Sequence, residues 1–368
     1  MTLSLSDLAS LHRGAFHALT VGAIEPVAAD AIAISLRVPS ELRDNFRYEP
    51  GQHLTLRANL HGTEVRRTYS ICSTPSSGGL RVGVRRVPGG ALSQHLFEVV
   101  RPGDRLDVME PAGRFTLPLD GEARRSYVAI AAGSGITPIL ALVAAALEVE
   151  PESRVTLFYG NRTVESAMFL DDLADVKDRY PARFQLLHVF SRQRQQLDLH
   201  NGRLDAQRVR LLVDRCLDPD RVAAWMLCGP YPMIQELTPV LAALGVPKER
   251  IKTELFFVED EAPVRSREEQ VAIAQAGEVS VRARLNGRET QFSMRRTQKL
   301  VESLAEVRPD APYSCKGGVC GTCRARLTEG RVAMDHTYAL DESDRTGGYI
   351  LTCQSHPLTD TVAVDYDA

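Results

Sequence analysis

Four cysteines near the end of the chain carry the most specific chemistry in the sequence. Cys315, Cys320 and Cys323 follow one another with the spacing C-x4-C-x2-C, and Cys353 comes after a gap of 29 residues. This is the ligand spacing of a plant-type [2Fe-2S] cluster, in which each of two ferric ions takes two thiolates from the protein. A zinc site is the alternative, but zinc ligands usually come as two close pairs, and only one such pair is present. The pattern therefore predicts an iron–sulfur cluster held by these four cysteines.

Two motifs in the first third of the chain could together hold a phosphorylated aromatic cofactor. The first is Arg67-Thr68-Tyr69-Ser70, at the end of a predicted strand. In the second, Gly89-Gly90 opens a short predicted helix with Ser93 in its first turn, and free N–H groups at a helix start can seat a pyrophosphate. Each motif alone also fits an ordinary exposed strand or a plain helix cap. The two in series are much more specific than either one.

A glycine turn in the middle of the chain is typical of a nucleotide site. An apolar run, Tyr127–Ala132, enters Gly133-Ser134-Gly135-Ile136-Thr137-Pro138, and an apolar helical stretch follows. The turn fails as a G-x-G-x-x-G fingerprint because its last position is proline. The order of strand, turn and helix nevertheless favours dinucleotide binding over a purely structural turn. A later predicted strand ends in Cys228-Gly229-Pro230, where a buried apolar cysteine is the alternative interpretation.

The choice between NADH and NADPH depends on the end of the third predicted strand of this region. An acidic residue there would bind a ribose 2′-hydroxyl. The chain instead has Ser191-Arg192, with Arg194 close behind, and these side chains suit a 2′-phosphate. A solvated basic loop is the alternative. We expect NADPH to be the nucleotide.

The predicted secondary structure that must position these residues changes in type three times along the chain. Residues 15–118 read as short alternating strands, which predicts an antiparallel β-barrel. Residues 119–257 alternate strands and helices, which predicts an α/β domain with a parallel sheet. Residues 258–277 are charged and predict a linker, partly helical. Residues 278–368, with a hairpin signal at Asn286-Gly287, predict an α+β β-grasp ferredoxin domain.

Composition excludes several other classes of protein. The net charge is −3 and there is no Lys/Arg-rich block, so we expect no nucleic-acid partner. No run of 18 apolar residues is present, and the N-terminus lacks the apolar core of a signal peptide, so we expect no membrane partner. Seven cysteines, four of them in the cluster pattern, indicate a reducing cytoplasm and not a disulfide framework.

Taken together, the flavin-type and nucleotide-type motifs resemble those of the ferredoxin–NADP reductase superfamily. The resemblance implies that Arg67 reaches the flavin phosphates, that Tyr69 stacks on the isoalloxazine, and that Ser70 hydrogen-bonds the ring near N5 as a catalytic residue. It also implies that the flavin is FAD. The remaining flavin-binding residues would be Val84, Arg86, Gly90 and Ser93.

The same resemblance assigns the nucleotide residues. Gly133, Gly135 and Thr137 would cradle the pyrophosphate. Cys228 would act as a catalytic residue that packs against the nicotinamide and positions it, without covalent chemistry. Gly229 and Pro230 would lie beside the same ring, and Ser191 and Arg192 would bind the 2′-phosphate.

The order of flavin, nucleotide and ferredoxin domains, over residues 15–368, resembles the reductases of multicomponent oxygenases, and within these the reductase subunits of ring 1,2-phenylacetyl-CoA epoxidases. The segments that carry the resemblance are 50–57, 67–72, 250–254, 311–320 and 348–354. It implies FAD, NADPH, a [2Fe-2S] cluster and a di-iron carboxylate oxygenase as the electron acceptor. The alternatives are a reductase for another oxygenase, such as a steroid or carnitine hydroxylase, and a stand-alone flavin reductase or diaphorase.

One segment departs from the family pattern. Leu255-Phe256-Phe257 follows Glu254, where an arginine–phenylalanine pair is expected. Phe256 or Phe257 is the candidate aromatic cover of the flavin.

The three predicted domains make one electron route. NADPH gives up two electrons as a hydride and a [2Fe-2S] cluster accepts one at a time, whereas a flavin can do both. Residues 278–368 contain 12 basic and 13 acidic side chains, so this ferredoxin lacks the acidity of a freely diffusing one, and a tethered donor needs less electrostatic steering. Lys316, Arg324 and Arg326 could form a docking patch for the acceptor or an ordinary solvated rim.

Overall fold

The computed structural model describes residues 14–256, 263–275 and 277–368, which form three successive large sheets with their own helices and a small two-stranded sheet, β15-β17, within the third region. The predicted fold class of antiparallel barrel, parallel α/β domain and α+β ferredoxin domain is confirmed. Within these ranges, no helix is both long and apolar enough to span a membrane.

The first sheet is antiparallel, with the strand order β4-β3-β6-β1-β2-β5. A bridge between Ile71, directly after β4, and Val82 of β5 joins the two edges and closes the barrel. Alternate residues such as Leu54 and Leu56 fill its interior. Its elements are β1 (Phe16–Ala28), β2 (Ala31–Arg37), β3 (His53–Leu60), β4 (Thr63–Ser70), β5 (Leu80–Arg85), α1 (Ala91–Glu98) and β6 (Arg105–Met109).

The second sheet is parallel, with the order β11-β10-β7-β8-β9. The central strand β7 buries both faces: Tyr127, Ala129 and Ala131 face one apolar cluster, and Val128 and Ile130 face the other. The elements are β7 (Ser126–Ala132), α2 (Ile136–Val149), β8 (Arg154–Asn161), α3 (Leu170–Arg179), β9 (Phe184–Phe190), α4 (Ala206–Cys216), β10 (Val222–Gly229), α5 (Tyr231–Ala243) and β11 (Ile251–Leu255).

The third sheet has the order β13-β12-β18-β14-β16, with β12 and β18 parallel, and α7 packs Leu300 and Leu304 beneath it. Asn286 and Gly287 both have positive φ in the predicted hairpin turn. The elements are β12 (Glu278–Leu285), β13 (Arg288–Arg295), α7 (Leu300–Val307), β14 (Arg324–Glu329), β15 (Val332–Met334), α8 (Glu342–Thr346), β16 (Tyr349–Leu351), β17 (Ser355–Pro357) and β18 (Thr361–Asp365).

Two element boundaries differ from what the sequence pattern predicts. The alternation over Phe16–Val38 predicts two strands that break at Glu25-Pro26, but β1 continues to Ala28 because a register shift after Pro26 accommodates the proline. The pattern also predicts a helix over Glu165–Arg179, but α3 begins at Leu170 because Phe169 adopts a left-handed conformation with φ of 60°. Phe169 thereby points its ring at Gly83 of the barrel.

The predicted linker is partly helical, as expected, and α6 spans Arg267–Ala274. Ser266 and Glu269 form a capping box at its start. Just before the helix, the amide of Val264 donates to the carbonyl of Asp335 at 3.0 Å, and Arg265 forms an ion pair with the Asp335 side chain at 2.8 Å. This part of the predicted linker is therefore attached to the ferredoxin domain.

Candidate electron-transfer site

The barrel and the parallel sheet meet where a hydroxyl, a carboxylate and a thiol come together. Ser70 ends β4 and its Oγ donates to Oε2 of Glu254 on β11 at 3.3 Å. Cys228 of β10 is the register partner of Glu254. His53, the register partner of Ser70, places Nδ1 at 3.9 Å from Oε1 of Glu254. The structure therefore brings together Ser70 and Cys228, which are 158 positions apart in the sequence.

Glu254 and His53 were not among the predicted site residues. His53 is buried and Glu254 is partly buried, and Nε2 of His53 has no hydrogen-bond partner among the described residues. An unpartnered buried ring nitrogen beside Ser70 fits a site that a polar ligand completes. No local spacing in the sequence indicates this contact, because it depends on the pairing of two separate sheets.

Arg67 and Tyr69 lie next to this junction on the same strand. Arg67 is exposed, and its Nη1 donates to the carbonyl of Arg66 at 2.7 Å. Tyr69 is partly buried beside the barrel core, and burial raises the pKa of its phenol. A neutral ring and an accessible guanidinium on one strand fit an aromatic cofactor that carries phosphates.

The predicted pyrophosphate seat is built as a helix start. Gly90 is the N-cap of α1 and no side chain caps the helix. The Ser93 hydroxyl is engaged within the turn: it donates to the Gly90 carbonyl at 3.0 Å and accepts from the Val87 amide at 3.2 Å. Uncapped N–H groups at the first turn of α1 fit an anionic group.

Two further predicted flavin residues occupy different environments. Val84 is fully buried in the barrel core, which leaves only its backbone for contact with a cofactor. Arg86 lies about half exposed, with Nη1 at 3.6 Å from Oε1 of Glu98 and its guanidinium over the Phe97 ring. Arg86 is therefore already partnered, and Arg67 is the more accessible of the two cations.

The glycine turn lies directly against the end of β10. A Cβ on Gly135 would overlap the Cys228 carbonyl, so only glycine allows this approach. Gly133 has a φ of 56°, and its carbonyl accepts from the Tyr159 hydroxyl at 3.0 Å. Thr137 closes the turn by donating to the Ser134 carbonyl at 2.7 Å. The two predicted nucleotide motifs are thus parts of one site.

Cys228 itself is fully buried. Burial, with a smaller contribution from Glu254, raises its thiol pKa well above the ordinary value. A neutral thiol is a poor nucleophile. This agrees with a packing role and not with covalent chemistry. Gly229 and Pro230 follow it and lead into α5.

The residues expected to select NADPH line a cavity of about 430 Å³. Ser191, Arg192 and Arg194 all contribute to its wall, with two arginines on an open surface. Asp198 lies in the same wall and was not predicted. The other lining residues are Phe190, Gln193, Asn201 and Gly202.

The four predicted cluster cysteines come together as two pairs of interacting thiols. Cys315 pairs with Cys320, and Cys323 pairs with Cys353. Two pairs of thiols are the donor set that a binuclear cluster needs, because each iron takes two. Within the described part of the chain, no three His, Cys, Asp or Glu side chains form a group that could hold a single metal ion.

Hydrogen bonds in the cluster loop favour negatively charged sulfur. The Cys320 thiol and backbone amides, among them that of Gly317, lower the pKa of Cys315 to about 5. The amide of Gln354 donates to the Cys353 sulfur at 3.3 Å. Gly318 and Gly321 have φ values of 76° and 70° and allow the loop to curl. The donor chemistry and the loop therefore fit a [2Fe-2S] cluster.

The three basic residues predicted near the cluster differ in their contacts and exposure. Arg324 pairs with Asp344 at 2.8 Å and stacks on the Tyr349 ring, so it serves the interior of its own domain. Lys316 extends over the Tyr313 ring, with Nζ at 4.9 Å from its centroid. Arg326 is exposed. An acceptor would meet Lys316 and Arg326 more readily than Arg324.

Comparison with known proteins matches each domain to a family. The oxidoreductase FAD-binding domain matches residues 18–117, the oxidoreductase NAD-binding domain matches 129–238, and the 2Fe-2S iron-sulfur cluster binding domain matches 283–358. The chain is 40% identical over 354 residues to one of the subunits of 1,2-phenylacetyl-CoA epoxidase from Escherichia coli, covering 96% of this chain and 98% of that one. The chain belongs to the ferredoxin–NADP reductase superfamily, in the branch of oxygenase reductases with a C-terminal ferredoxin domain.

Further relatives support this placement. The reductase is 34% identical to the ferredoxin reductase component of 3-ketosteroid-9-alpha-monooxygenase of Rhodococcus rhodochrous, over 95% of this chain and 96% of that one. Its fold matches phthalate dioxygenase reductase with a TM-score of 0.55 and 22% identity, over 95% of this chain and 98% of that one. The prediction of an oxidoreductase that serves a multicomponent oxygenase, with domains for FAD, a nicotinamide nucleotide and [2Fe-2S], is confirmed.

Proposed function

We propose that this reductase carries electrons from NADPH, through FAD and the [2Fe-2S] cluster, to the di-iron oxygenase component of a phenylacetyl-CoA epoxidase. The observation that carries the proposal is the 40% identity to a component of the Escherichia coli epoxidase over nearly the whole length of both chains. FAD, when bound, supplies the conversion of a two-electron hydride into single electrons.

In this proposal, the residues of the chain orient the reacting groups and control one proton. The Ser70 hydroxyl, 4% exposed, faces the flavin ring, and its proton lies between Oγ and Oε2 of Glu254. Cys228 and the glycine turn hold the nicotinamide against that face, since Gly135 and Cys228 are in direct contact. The apolar surroundings of Cys228 exclude water from the hydride path.

In this proposal, the flavin and the cluster bind to the residues that the sequence predicts for them. The Tyr69 ring would stack on the isoalloxazine and Arg67 would bind the flavin phosphates, with the start of α1 at Gly90 as a further phosphate site. Cys315, Cys320, Cys323 and Cys353 would hold the [2Fe-2S] cluster, which supplies one-electron transfer when bound. The proposed domains are 15–118 for FAD, 119–257 for the nucleotide and 278–368 for the cluster, with 258–277 as the linker.

NADPH is proposed over NADH because of the cavity at the end of β9. Ser191, Arg192 and Arg194 line it, and together they offer a hydroxyl and two guanidinium groups to a 2′-phosphate. Phe256 packs against the core at the end of β11 and is the proposed aromatic cover of the flavin. Phe257, the other candidate, lies outside the described residues.

Anaerobic titration of the holoenzyme with NADPH and with NADH tests the electron route. Flavin bleaching together with a rhombic EPR signal of the reduced cluster is expected, at a lower concentration of NADPH than of NADH. A Cys353→Ser variant should keep flavin bleaching and lose the EPR signal. If the wild-type cluster stays oxidised under excess nucleotide, the proposed route is wrong.

The acceptor is tested by reconstitution. The reductase, a purified phenylacetyl-CoA epoxygenase, NADPH and phenylacetyl-CoA should give product, and the Cys353→Ser variant should not. A 3-ketosteroid-9-alpha-hydroxylating oxygenase serves as the second acceptor, because the reductases of such systems are also 34–36% identical to this chain. If the reductase supports turnover of the steroid oxygenase and not of the epoxygenase, the steroid oxygenase would replace the epoxidase as the proposed acceptor.

A further inference from the structure

One buried arginine joins the barrel to the ferredoxin domain. Arg66, on β4, is only 4% exposed. Its Nη1 donates to the carbonyl of Ala311 at 3.0 Å, and its Nη2 lies 3.4 Å from the carbonyl of Pro309. Both acceptors lie in the ferredoxin segment that leads into Cys315. A buried guanidinium is costly unless its donors are satisfied, and here two of the acceptors come from another domain.

The same guanidinium is held between two aromatic rings. Its central carbon lies 3.9 Å from the centroid of the Tyr313 ring and 4.9 Å from that of Phe16. Glu64, two residues earlier on β4, accepts from Nε of Arg66 at 2.8 Å and from the Tyr313 hydroxyl at 3.1 Å. Arg66, Glu64 and Tyr313 therefore form a closed contact between the two domains, which we call the β4 clasp.

The position of the β4 clasp connects it to the electron route. Arg66 directly precedes Arg67, the proposed flavin-phosphate residue, and Tyr69 and Ser70 follow on the same strand. Tyr313 lies two residues before the cluster ligand Cys315. By strand alternation, Arg67 and Tyr69 lie on one face of β4, and Arg66 lies on the other face together with Ser70. A single strand thus carries both the proposed flavin contacts and the contact with the segment that leads into the cluster loop.

We propose that Arg66 is a positioning residue that docks the ferredoxin domain for electron transfer from the flavin to the cluster. This role rests on the electron route proposed above. When bound, FAD would pass the two electrons of each NADPH hydride to the cluster one at a time. The cluster would take one electron, with one ferric ion becoming ferrous, and would pass it to the acceptor before taking the second, while the flavin returns to its oxidised form and releases a proton. Arg66 takes no part in the hydride step, since its contacts are to residues 64, 309, 311 and 313 and to the Phe16 ring.

The chain offers a matched control in Arg57. Its guanidinium also stacks on Phe16, at 4.0 Å from the ring centroid, and it also approaches Glu64, at 3.4 Å. Its other partner is Asp107 within the barrel, at 2.9 Å. Among the described residues, Arg57 makes no hydrogen bond or ion pair with the ferredoxin domain, and it acts on Tyr313 only through its charge. Arg57→Ala therefore removes an equivalent charge and an equivalent stacking contact from the same strand pair without removing a hydrogen bond to the ferredoxin domain.

The kinetic test compares holoenzyme variants by anaerobic stopped flow and freeze-quench EPR after mixing with NADPH. In Arg66→Ala, cluster reduction is expected to slow by about tenfold to a hundredfold, because only the docked fraction transfers electrons. Flavin bleaching and ferricyanide reduction should stay at the wild-type rate. Arg57→Ala should resemble wild type in every step, and Arg66→Lys should fall between, since lysine keeps the charge and loses the planar fork.

A second readout does not depend on activity. In the holoenzyme without nucleotide, amide hydrogen exchange at Asp310, Ala311 and Tyr313 should rise in Arg66→Ala and not in Arg57→Ala. If Arg66→Ala fails to fold, Tyr313→Phe and Tyr313→Leu take its place, because they remove the Glu64 hydrogen bond and the stacked ring from the other side of the clasp.

The outcomes separate this inference from the proposed function. Wild-type rates of cluster reduction in Arg66→Ala, or equal slowing in Arg57→Ala, would overturn the positioning role. A wild-type cluster that NADPH never reduces would overturn the electron route instead, and the hydrogen-exchange comparison would still decide whether Arg66 docks the domain.

Discussion

The barrel meets its two neighbours through very different contacts. Its junction with the nucleotide domain has an apolar core: Ala31, Ala33 and Cys72 of the barrel belong to the same buried cluster as Tyr127 and Phe169 of the nucleotide domain. Polar contacts flank this core, among them Ser70 with Glu254 and the ion pair of Arg81 with Asp172. Its junction with the ferredoxin domain is built mainly from charged groups, namely the β4 clasp and the pair of Arg114 with the buried Asp344. The ferredoxin domain also touches the nucleotide domain through polar and aromatic contacts, Lys248 with Glu342 and Tyr231 with Tyr338.

The difference between the two junctions agrees with what each one must transfer, which is a hydride at the first and single electrons at the second. A hydride moves only between atoms in contact, so the flavin and nicotinamide sites must keep one geometry, which a shared apolar core provides. The ferredoxin domain, by contrast, must receive electrons on one side and deliver them to an acceptor on another. Contacts dominated by single charged pairs can be weakened by salt or substitution without unfolding either partner.

The largest effect is expected from a cavity in the apolar junction. Phe169, 1% exposed, lies against Gly83 of the barrel. Phe169→Ala should lower the free energy of unfolding by about 3–5 kcal/mol, as large-to-small core changes do. Chemical denaturation followed by tryptophan fluorescence measures the change. Loss of less than about 1 kcal/mol would show that the two domains do not share a core, since surface changes have effects of that size.

Ser70→Ala tests the proposed hydride step at this junction. Removing the hydroxyl leaves the partly buried Glu254 without its 3.3 Å donor. Hydride transfer should slow by roughly tenfold to a hundredfold, the equivalent of a lost hydrogen bond to a charged group. Single-turnover flavin bleaching at saturating NADPH measures the rate. Ser73→Ala serves as the control, because the Ser73 hydroxyl bonds to Tyr48 and Gly79 within the barrel. An unchanged rate in Ser70→Ala would remove Ser70 from the proposed site.

Salt should separate the two junctions without any substitution. Raising the ionic strength from about 0.01 to 1 M shortens the Debye length from roughly 30 to 3 Å and weakens charged contacts at the surface. Flavin-to-cluster transfer should fall modestly, because the exposed Lys248–Glu342 pair and the half-exposed Arg114 are open to screening whereas the buried Arg66 is screened much less. Flavin bleaching at saturating NADPH should hardly change. Equal slowing of both steps would contradict the contrast between a polar and an apolar junction.

The smallest effect is expected at Arg114. Its guanidinium donates to Asp344, but it is about half exposed, so Arg114→Ala should weaken docking by only about 0.2–1 kcal/mol. Burial would raise the pKa of Asp344, but the hydrogen bond and charge of Arg114 hold it below its usual value. The contribution is therefore complete above about pH 4, the ordinary range of Asp, and is lost as the pH falls further.

Hydrogen exchange in α8 between pH 3 and 7 measures this contribution. In the wild-type protein, the α8 amides should lose protection from exchange only at the acidic end of this range. In Arg114→Ala the loss of protection should be smaller, because the variant already lacks the Arg114–Asp344 contact at neutral pH. A transition near neutral pH would indicate a different titrating group.

The sequence was sufficient for every feature that depends on local spacing. The cysteine pattern, the glycine turn before α2 and the Asn286-Gly287 hairpin each need only a few neighbouring residues. The features it missed are all pairings across domains. Glu254 contacts Ser70 only because β11 lies beside β10. In the sequence, Arg66 looks like any exposed arginine of a strand, and only the structure shows that it stacks on Tyr313. Within the local features, the start of α3 was placed too early because nothing in the sequence shows that Phe169 takes a left-handed conformation.

The contacts of Val264 and Arg265 with Asp335 determine where the ferredoxin domain can be separated from the rest of the chain. Asp335 also pairs with Lys299 at 2.9 Å, so the segment before α6 joins a charged cluster inside the ferredoxin domain. A ferredoxin fragment that begins at residue 278 would leave Asp335 without Arg265, whereas one that begins at residue 263 keeps the pair. The natural unit for transplantation onto another flavoprotein is therefore residues 263–368.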